Sequence, residues 1–157
     1  MTTALLIIDV QQALCSGEYE AFESQRVIDR INLVSRKARA VSAPVIIVQH
    51  ESEGGPLDYG AEGWELAKGL EALPTDTYIR KKATDSFHQT ELHSVLQARG
   101  IKRLVICGLQ SEFCVDTTTR RALEKSWLAG STRGPRCASS RNGALHIDPN
   151  WTQIGVE

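Results

Sequence analysis

The sequence has no long apolar run, no excess charge of either sign and no recognisable leader. Its 157 residues include 18 basic and 19 acidic side chains, which give a formal net charge of −1. A nearly neutral chain offers no basic surface for nucleic acid or for an anionic membrane. No segment approaches the roughly 20 apolar residues that cross a bilayer, and the first residues lack the basic region and cleavage site of a signal peptide. We therefore expect a cytoplasmic protein without a nucleic-acid or membrane partner.

The cysteines are few, and their spacing does not indicate a metal site. Four are present, with no C-x-x-C pair and no histidine at a matching distance, so neither a zinc site nor a disulfide framework is predicted. In a reducing compartment they should be free thiols. Cys107 lies in an apolar run and is expected to pack in the core, whereas Cys15 is expected in a loop and Cys137 in an unpatterned tail. Cys114 remains as the candidate for chemistry.

What the sequence does contain is an alternation of short apolar runs with amphipathic segments. Unbroken apolar runs are typical of strands covered on both faces, and apolar residues three and four apart predict helices. The predicted strands are residues 4–8, 45–48, 77–80 and 104–107, and the predicted helices are residues 23–41, a segment from 92 to 100, and residues from 112 onward. This alternation predicts a doubly wound, Rossmann-like, three-layer α/β/α fold with a mainly parallel sheet.

The connection between the second and third predicted strands is unusually long. Residues 51–77 are punctuated by glycine and proline, with at most one short helix near residues 64–70. Loops of this length are uncommon unless they are functional. We expect substrate specificity to reside here.

Cys114 lies where a predicted strand turns sharply into a predicted helix. Unpaired backbone N–H groups and the helix dipole at such a position favour a thiolate over a thiol, which is how a cysteine nucleophile is activated. The alternative is that Cys114 simply fills the core, as free cysteines often do.

Two charged residues are predicted at the same edge of the sheet as Cys114. Asp9 follows the first strand and Lys81 follows the third, and the C-terminal ends of parallel strands share one rim. Lys81 can favour the thiolate by opposite charge, and Asp9 can move the thiol proton to a leaving amine. Together the three residues predict acyl transfer through a thioester, with backbone N–H groups of residues 109–114 stabilising the oxyanion. Alternatively, Asp9 caps a turn and Lys81 belongs to a solvated basic run at 80–82.

Four stretches resemble the isochorismatase-like cysteine hydrolases, the superfamily of nicotinamidases and N-carbamoylsarcosine amidases. They are L-L-I-I-D-V-Q-Q (5–12), G-G-P-L-D-Y-G-A-E-G-W-E-L (54–66), I-R-K-K-A-T-D-S-F-H-Q-T-E-L (79–92) and V-I-C-G-L-Q-S-E-F-C-V-D-T-T-T-R-R-A-L (105–123). The resemblance covers about residues 1–127. It implies a homo-oligomeric hydrolase of small-molecule amide or related C–N bonds.

The resemblance also implies roles for individual residues. Asp9 is the implied general acid/base, Lys81 the charge partner and Cys114 the nucleophile. A cis peptide bond is implied at Leu109–Gln110, which places the N–H groups of Gln110 and Cys114 in the oxyanion hole. By their positions, Gln11 and Trp64 are candidates for substrate binding at the pocket wall, although Trp64 is equally suited to the core.

The metal site of nicotinamidases is not expected in this chain. Nicotinamidases use an Asp-x-His motif and a further histidine, whereas the corresponding stretch V-Q-H-E (48–51) has Val48 in place of the aspartate. We therefore predict no metal and no cofactor. His50 itself is left open between a loop hydrogen-bonder and a pocket residue.

The apolar pattern stops after Trp127. Residues 128–157 are rich in Gly, Ser, Arg and Pro, without a strand or helix period, so we expect a hydrolase domain at 1–127 and an irregular tail at 128–157. The family's last strand and helix are then missing. Two alternatives to an active hydrolase therefore stay open. One is a catalytically weakened scaffold protein with an incomplete fold, and the other is a redox-sensing thiol protein that uses Cys114.

Overall fold

The computed structural model describes residues 2–131, in which parallel strands alternate with helices along the chain. The strands are β1 (Thr3–Ile8), β2 (Val45–His50), β3 (Thr77–Lys81), β4 (Arg103–Gly108) and β5 (Leu128–Ser131). The α-helices are α1 (Gln12–Cys15), α2 (Ser24–Ala40), α3 (Leu92–Ala98) and α4 (Asp116–Glu124), with a 3-10 turn at Gly17–Tyr19 and a π-helical turn at Ser111–Val115. Within the described residues, no helix is long and apolar enough to cross a membrane.

Two apolar layers enclose the sheet, one on each face. Helix α2 covers one face with the buried side of its apolar stripe, which consists of Val27, Ile28 and Ile31. Helices α3 and α4 cover the other face, through Leu92, Leu96 and Ala122. Each fully buried leucine or isoleucine in these layers stabilises the fold by about 1.5–3 kcal/mol. The predicted three-layer α/β/α architecture with a parallel sheet is confirmed.

β1 lies at the centre of the sheet, because later strands are added on both of its sides. The strand order is β3-β2-β1-β4-β5, so the chain builds outwards to β3 and then crosses back to add β4 and β5. The connections that follow β1 and β4 therefore leave in opposite directions, which opens a crevice at the C-terminal ends of these strands. Ligands bind at this place in open α/β sheets.

The sheet continues beyond Trp127, where the sequence analysis expects an irregular tail. β5 pairs in parallel with β4. Four residues are too few to display a strand period, and the backbone of β4 supplies the pairing instead. The expectation is therefore wrong for residues 128–131. The rest of the tail, including Cys137, lies outside the described residues, and the domain division after residue 127 stays a prediction.

Residues 64–70, where at most one short helix is expected, form none, and Leu66 makes an antiparallel bridge with Gln11. Two other local features differ from the expectations. Cys15 ends the one-turn helix α1 rather than lying in a loop. The helix expected after β4 begins as the π-helical turn and becomes α-helical only at Asp116.

The C-terminal ends of β1 and β4 approach each other so closely that only glycine fits at position 108, the last residue of β4. Gly108 has a φ of +131°, and a Cβ atom added to it would lie 2.0 Å from the carbonyl oxygen of Ile8. The next residue, Leu109, donates its N–H to that same oxygen at 2.8 Å. Glycine therefore keeps the two central strands paired up to the crevice.

We expect Gly108→Ala to lower the free energy of unfolding by more than about 3 kcal/mol, because the new methyl group collides with backbone atoms. Gly100→Ala is the matched control: its φ is +62°, but no heavy atom lies within 4 Å of the added Cβ. That change should cost about 1–2 kcal/mol. Urea unfolding followed by tryptophan fluorescence measures both, and equal losses would contradict the steric explanation.

Candidate active site

Four chemically active side chains converge at the ends of four neighbouring strands. Asp9 follows β1, His50 and Lys81 are the last residues of β2 and β3, and Cys114 lies in the π-helical turn after β4. The strand order makes these four ends adjacent along one rim. The structure thus brings Asp9, Lys81 and Cys114 together and adds His50 to them.

Lys81 lies at the centre of this cluster, and its side chain has no exposed surface. Along β3 the inward residues are Ile79 and Lys81, whereas Tyr78 and Arg80 point outward. The lysine therefore occupies a position that would ordinarily be apolar. A charged residue in phase with the buried side of a strand marks a group whose burial must be compensated.

The buried ammonium is surrounded by four acceptors. Nζ of Lys81 lies 2.9 Å from Oδ2 of Asp9, 3.0 Å from the carbonyl oxygen of Ala83, 3.2 Å from Nδ1 of His50 and 3.2 Å from Sγ of Cys114. An ammonium group has three N–H donors, so every one of them has an acceptor. Removing one partner of a buried ion pair such as Lys81–Asp9 typically costs about 3–5 kcal/mol.

His50 is a neutral acceptor of the lysine. Because Lys81 donates to Nδ1, the imidazole carries its proton on Nε2. Burial lowers the pKa of His50, and the charge of Lys81 lowers it further, while Asp9 acts in the opposite direction. Of the two roles that the sequence leaves open, the structure thus makes His50 a direct partner of Lys81. Its place at the end of a predicted strand, on the same rim, is the feature that could have identified it.

Asp9 leaves β1 in the left-handed backbone conformation, with a φ of +55°, which aspartate adopts more readily than most residues. Its side chain is buried, and Oδ2 is paired with Lys81. The other oxygen, Oδ1, is buried and has no hydrogen-bond partner among residues 2–131. Burial raises the pKa of Asp9, and the charge of Lys81 opposes that rise. An unpartnered carboxylate oxygen is well suited to accept a proton from a neighbouring group.

Cys114 is half-buried and is a neutral thiol at rest. Burial raises its pKa to about 12, the negative charge of Asp9 adds to the rise, and Lys81 acts in the opposite direction. Lys81 thus favours the thiolate in the expected sense, but burial of the sulfur and the charge of Asp9 outweigh it.

The turn that carries Cys114 is wound around the carbonyl group of Gln110. This oxygen accepts the N–H groups of Phe113 at 3.1 Å and Val115 at 3.3 Å. The peptide bond Leu109–Gln110 is cis, as the resemblance implies. The N–H groups of Gln110 and Cys114 belong to this turn, and their role in an oxyanion hole stays a prediction.

Gln11, expected at the pocket wall, has a fully buried side chain whose amide is used by the backbone. Its Nε2 donates to the carbonyl oxygens of His50 and Trp64, both at 2.9 Å, and its Oε1 accepts the N–H of His50 at 2.8 Å. Gln11 thus ties the end of β2 to the 51–77 loop. This geometry favours a positioning role over direct contact with a substrate.

Trp64, the other residue expected at the pocket wall, is half-buried in the 51–77 loop. Its ring packs edge-to-face against Tyr59, with 4.8 Å between the ring centroids, and the guanidinium of Arg80 lies 4.3 Å above the Tyr59 ring. The indole Nε1 is buried without a hydrogen-bond partner among the described residues. A contact between Trp64 and a substrate stays a prediction.

Two residues of α4 that the sequence patterns do not single out hold the segment after β3 in place. Thr118 of α4 is fully buried; its Oγ1 donates to Oγ of Ser86 at 2.9 Å and accepts the Ser86 N–H at 3.1 Å. Arg121, on the same helix, pairs with Asp85 at 2.9 Å. These contacts dock the segment after β3, including Ala83, onto α4. A threonine in the apolar period of the predicted helix was the available indication.

The fold and the charged rim place this chain in the class of open α/β proteins that carry their ligand site at the C-terminal ends of parallel strands. Within this class, residues 3–126 match the family model of the isochorismatase domain. The match covers well over half of the chain. The chain therefore belongs to the isochorismatase family, which confirms the resemblance noted from its motifs.

Several known proteins are similar to this chain. Streptothricin hydrolase of Streptomyces noursei is 39% identical over 122 residues, which are 77% of this chain and 44% of that protein. Ureidoacrylate amidohydrolase of Stutzerimonas stutzeri is 28% identical over 155 residues, and the match covers 75% of this chain and 62% of that protein. A crystal structure of an isochorismatase family protein superposes with a TM-score of 0.77 at 37% identity, covering 81% of this chain and 75% of that one. The chain thus spans less than two thirds of the length of either enzyme.

We expect Asp9→Asn to make Cys114 more reactive toward iodoacetamide. The substitution removes the negative charge that raises the pKa of the thiol and leaves the ammonium of Lys81 unopposed. The pKa should fall, and alkylation near about pH 8 should accelerate at least about tenfold. Mass spectrometry at each cysteine measures the rates, with Cys15 as the internal control. An unchanged or slower rate at Cys114 would contradict this electrostatic account.

Gln11→Ala should lower the free energy of unfolding by about 2–4 kcal/mol, because the His50 N–H and carbonyl group lose this partner and the Trp64 carbonyl loses one of its two side-chain donors. Gln49→Ala is the matched control, since Gln49 donates a single hydrogen bond to the carbonyl oxygen of Trp64, at 3.0 Å. It should cost about 1 kcal/mol. Urea unfolding compares the two variants. Equal losses would show that Gln11 does not anchor the loop.

Proposed function

We propose that this chain is a cysteine-dependent hydrolase that cleaves amide or related C–N bonds of small molecules through a thioester. In this proposal Cys114 is the nucleophile, Asp9 the general acid/base and Lys81 the charge partner. The observation that carries it is the contact of one buried ammonium with both the carboxylate and the thiol. Membership of a family that includes an amidohydrolase supports a C–N bond as the target.

The neutral thiol must lose its proton to attack, and Asp9 is the base within reach. A carboxylate oxygen of Asp9 lies within 4.8 Å of Sγ. The proton moves to Asp9 as Sγ bonds to the carbonyl carbon, and the N–H groups of Gln110 and Cys114 stabilise the oxyanion. Protonated Asp9 then donates this proton to the amine nitrogen. The C–N bond breaks, the amine leaves and the acyl group stays on Cys114 as a thioester.

Hydrolysis of the thioester uses the same groups in the reverse sense. Asp9, again a carboxylate, takes a proton from a water molecule as the water oxygen attacks the thioester carbonyl. The C–S bond breaks, and the departing thiolate is stabilised by Lys81, whose Nζ lies 3.2 Å from Sγ. Asp9 returns its proton to Sγ. One amide and one water have then become one acid and one amine.

A small, polar cleft of about 250 Å³ lies beside the end of β3. Asp9, His50 and Cys114 are not among its lining residues. It is lined by Glu51, Arg80, Lys81, Lys82, Ala83, His88, Gln89 and Glu91. Charged groups of both signs favour a ligand with polar groups over an apolar one. The names of the relatives make streptothricin and ureidoacrylate the first compounds to test.

Cys114→Ala, Lys81→Met and Asp9→Asn should each lower turnover of the best substrate by at least about 1000-fold, because each removes one member of a group that acts as a unit. Amine or ammonia release from a panel of small amides and ureido compounds measures turnover. Mass spectrometry of the quenched wild type should show an acyl adduct on Cys114. Asp9→Asn should combine lost turnover with faster alkylation of Cys114, which separates proton transfer from thiol accessibility.

Cys15→Ala is the matched control, since Cys15 lies outside the triad, and it should retain turnover. Retained turnover in Cys114→Ala would overturn the proposal. No turnover by the wild type across the panel, together with an intact fold, would favour the scaffold alternative. Reversible peroxide oxidation of Cys114 without amide turnover would favour the redox sensor.

Some expectations from the sequence stay predictions. They are the homo-oligomeric state, the cytoplasmic location, and the absence of a nucleic-acid partner and of a cofactor. Size-exclusion chromatography with light scattering addresses the first of these directly.

A further inference from the structure

The ammonium of Lys81 lies where a metal ion would lie in a three-ligand site. A carboxylate oxygen of Asp9, a ring nitrogen of His50 and Sγ of Cys114 lie within 4.8 Å of one another, and they are the one such group found among residues 2–131. Nζ of Lys81 contacts all three residues at 2.9–3.2 Å. Carboxylate, imidazole and thiolate are the ligand types that zinc-class ions prefer.

Two of the three groups already have lone pairs available. Nδ1 of His50 accepts a hydrogen bond from Lys81, so its lone pair points to the centre of the cluster. Oδ1 of Asp9 is buried and has no hydrogen-bond partner among the described residues. Asp9 therefore has an unused acceptor in addition to Oδ2, the oxygen that binds Lys81. Cys114 becomes the third ligand when it loses its proton.

We propose that Asp9, His50 and Cys114 bind a zinc-class divalent cation in competition with the ammonium of Lys81. The ion acts as an inhibitor and not as a cofactor, because it occupies the sulfur atom that the proposed reaction requires as nucleophile. Metal–ligand distances of about 2.0–2.3 Å draw the three ligand atoms together around the ion. The site therefore forms only when Lys81 gives up its central position.

The ammonium of Lys81 and a divalent ion cannot both occupy the centre of the cluster. Nζ lies 2.9–3.2 Å from atoms of all three ligand residues, and both groups are positively charged, so the lysine opposes the ion by occupancy and by charge. When the ion binds, a sulfur–metal bond replaces the S–H bond of Cys114 and the proton passes to solvent, so nothing is oxidised or reduced. A cluster without the lysine therefore binds the ion more tightly.

Lys81→Met tests the competition directly, since it keeps a side chain of similar length and removes the charge. Co²⁺ titration of the full chain, followed by thiolate-to-cobalt charge-transfer absorption, should show one ion per chain. The affinity should be at least about 100-fold tighter than that of the wild type, because a full positive charge close to the ion is gone. The matched control is Lys81→Met with Cys114→Ser, which keeps the other three cysteines and should show no such band.

A second measurement uses the wild type and remains informative if Lys81→Met does not fold. Zn²⁺ should slow the alkylation of Cys114 by iodoacetamide and leave the alkylation of Cys15 unchanged. His50→Ala should weaken this protection at least about tenfold, because one of the three ligands is lost. No substrate is needed, so the result is independent of the proposed hydrolase activity.

Three outcomes would overturn the proposal. The first is a cobalt–thiolate band that persists when Cys114 is replaced in the Lys81→Met background, which would assign the ion to another thiol. The second is Zn²⁺ protection that is equal in the wild type and in His50→Ala, which would mean simple thiol binding. The third is an affinity of folded Lys81→Met for Co²⁺ that does not exceed that of the wild type.

Discussion

The site depends on the burial of one positive charge. The ammonium of Lys81 has no exposed surface, so its desolvation must be compensated by acceptors inside the protein. Asp9, His50, Ala83 and Cys114 supply these acceptors, and they come from the ends of four strands or from the segments that follow them. One nitrogen atom thus links the C-terminal rim of the sheet. A rim held in this way is preorganised before any substrate arrives.

Burial and the same ion pair together set the reactivity of the thiol. Burial raises the pKa of Cys114 to about 12, the charge of Asp9 adds to the rise, and Lys81 opposes it. A neutral thiol is protected from indiscriminate alkylation and oxidation, since the thiolate is the reactive form. In the proposed mechanism the nucleophile is generated only when the proton passes to Asp9. In the proposed metal complex, the charge of the same lysine opposes the binding of the competing ion.

The cluster is held from two sides by polar side chains that do not take part in the chemistry. Gln11 binds the backbone of His50 and the carbonyl group of Trp64, so it ties the end of β2 to the 51–77 loop. Thr118 fixes the segment after β3 through its hydrogen bonds to Ser86. Two separate sets of hydrogen bonds therefore hold the segments next to the proposed triad.

The sequence by itself determined the order of strands and helices and the positions of Asp9, Lys81 and Cys114, because apolar periodicity and strand-end position are local properties of the chain. It did not reveal β5, whose four residues form a strand only because β4 offers its backbone. Nor did it reveal the role of His50 or the raised pKa of Cys114. Those depend on distances between residues far apart in the chain and on exclusion of water, and only the tertiary structure decides both.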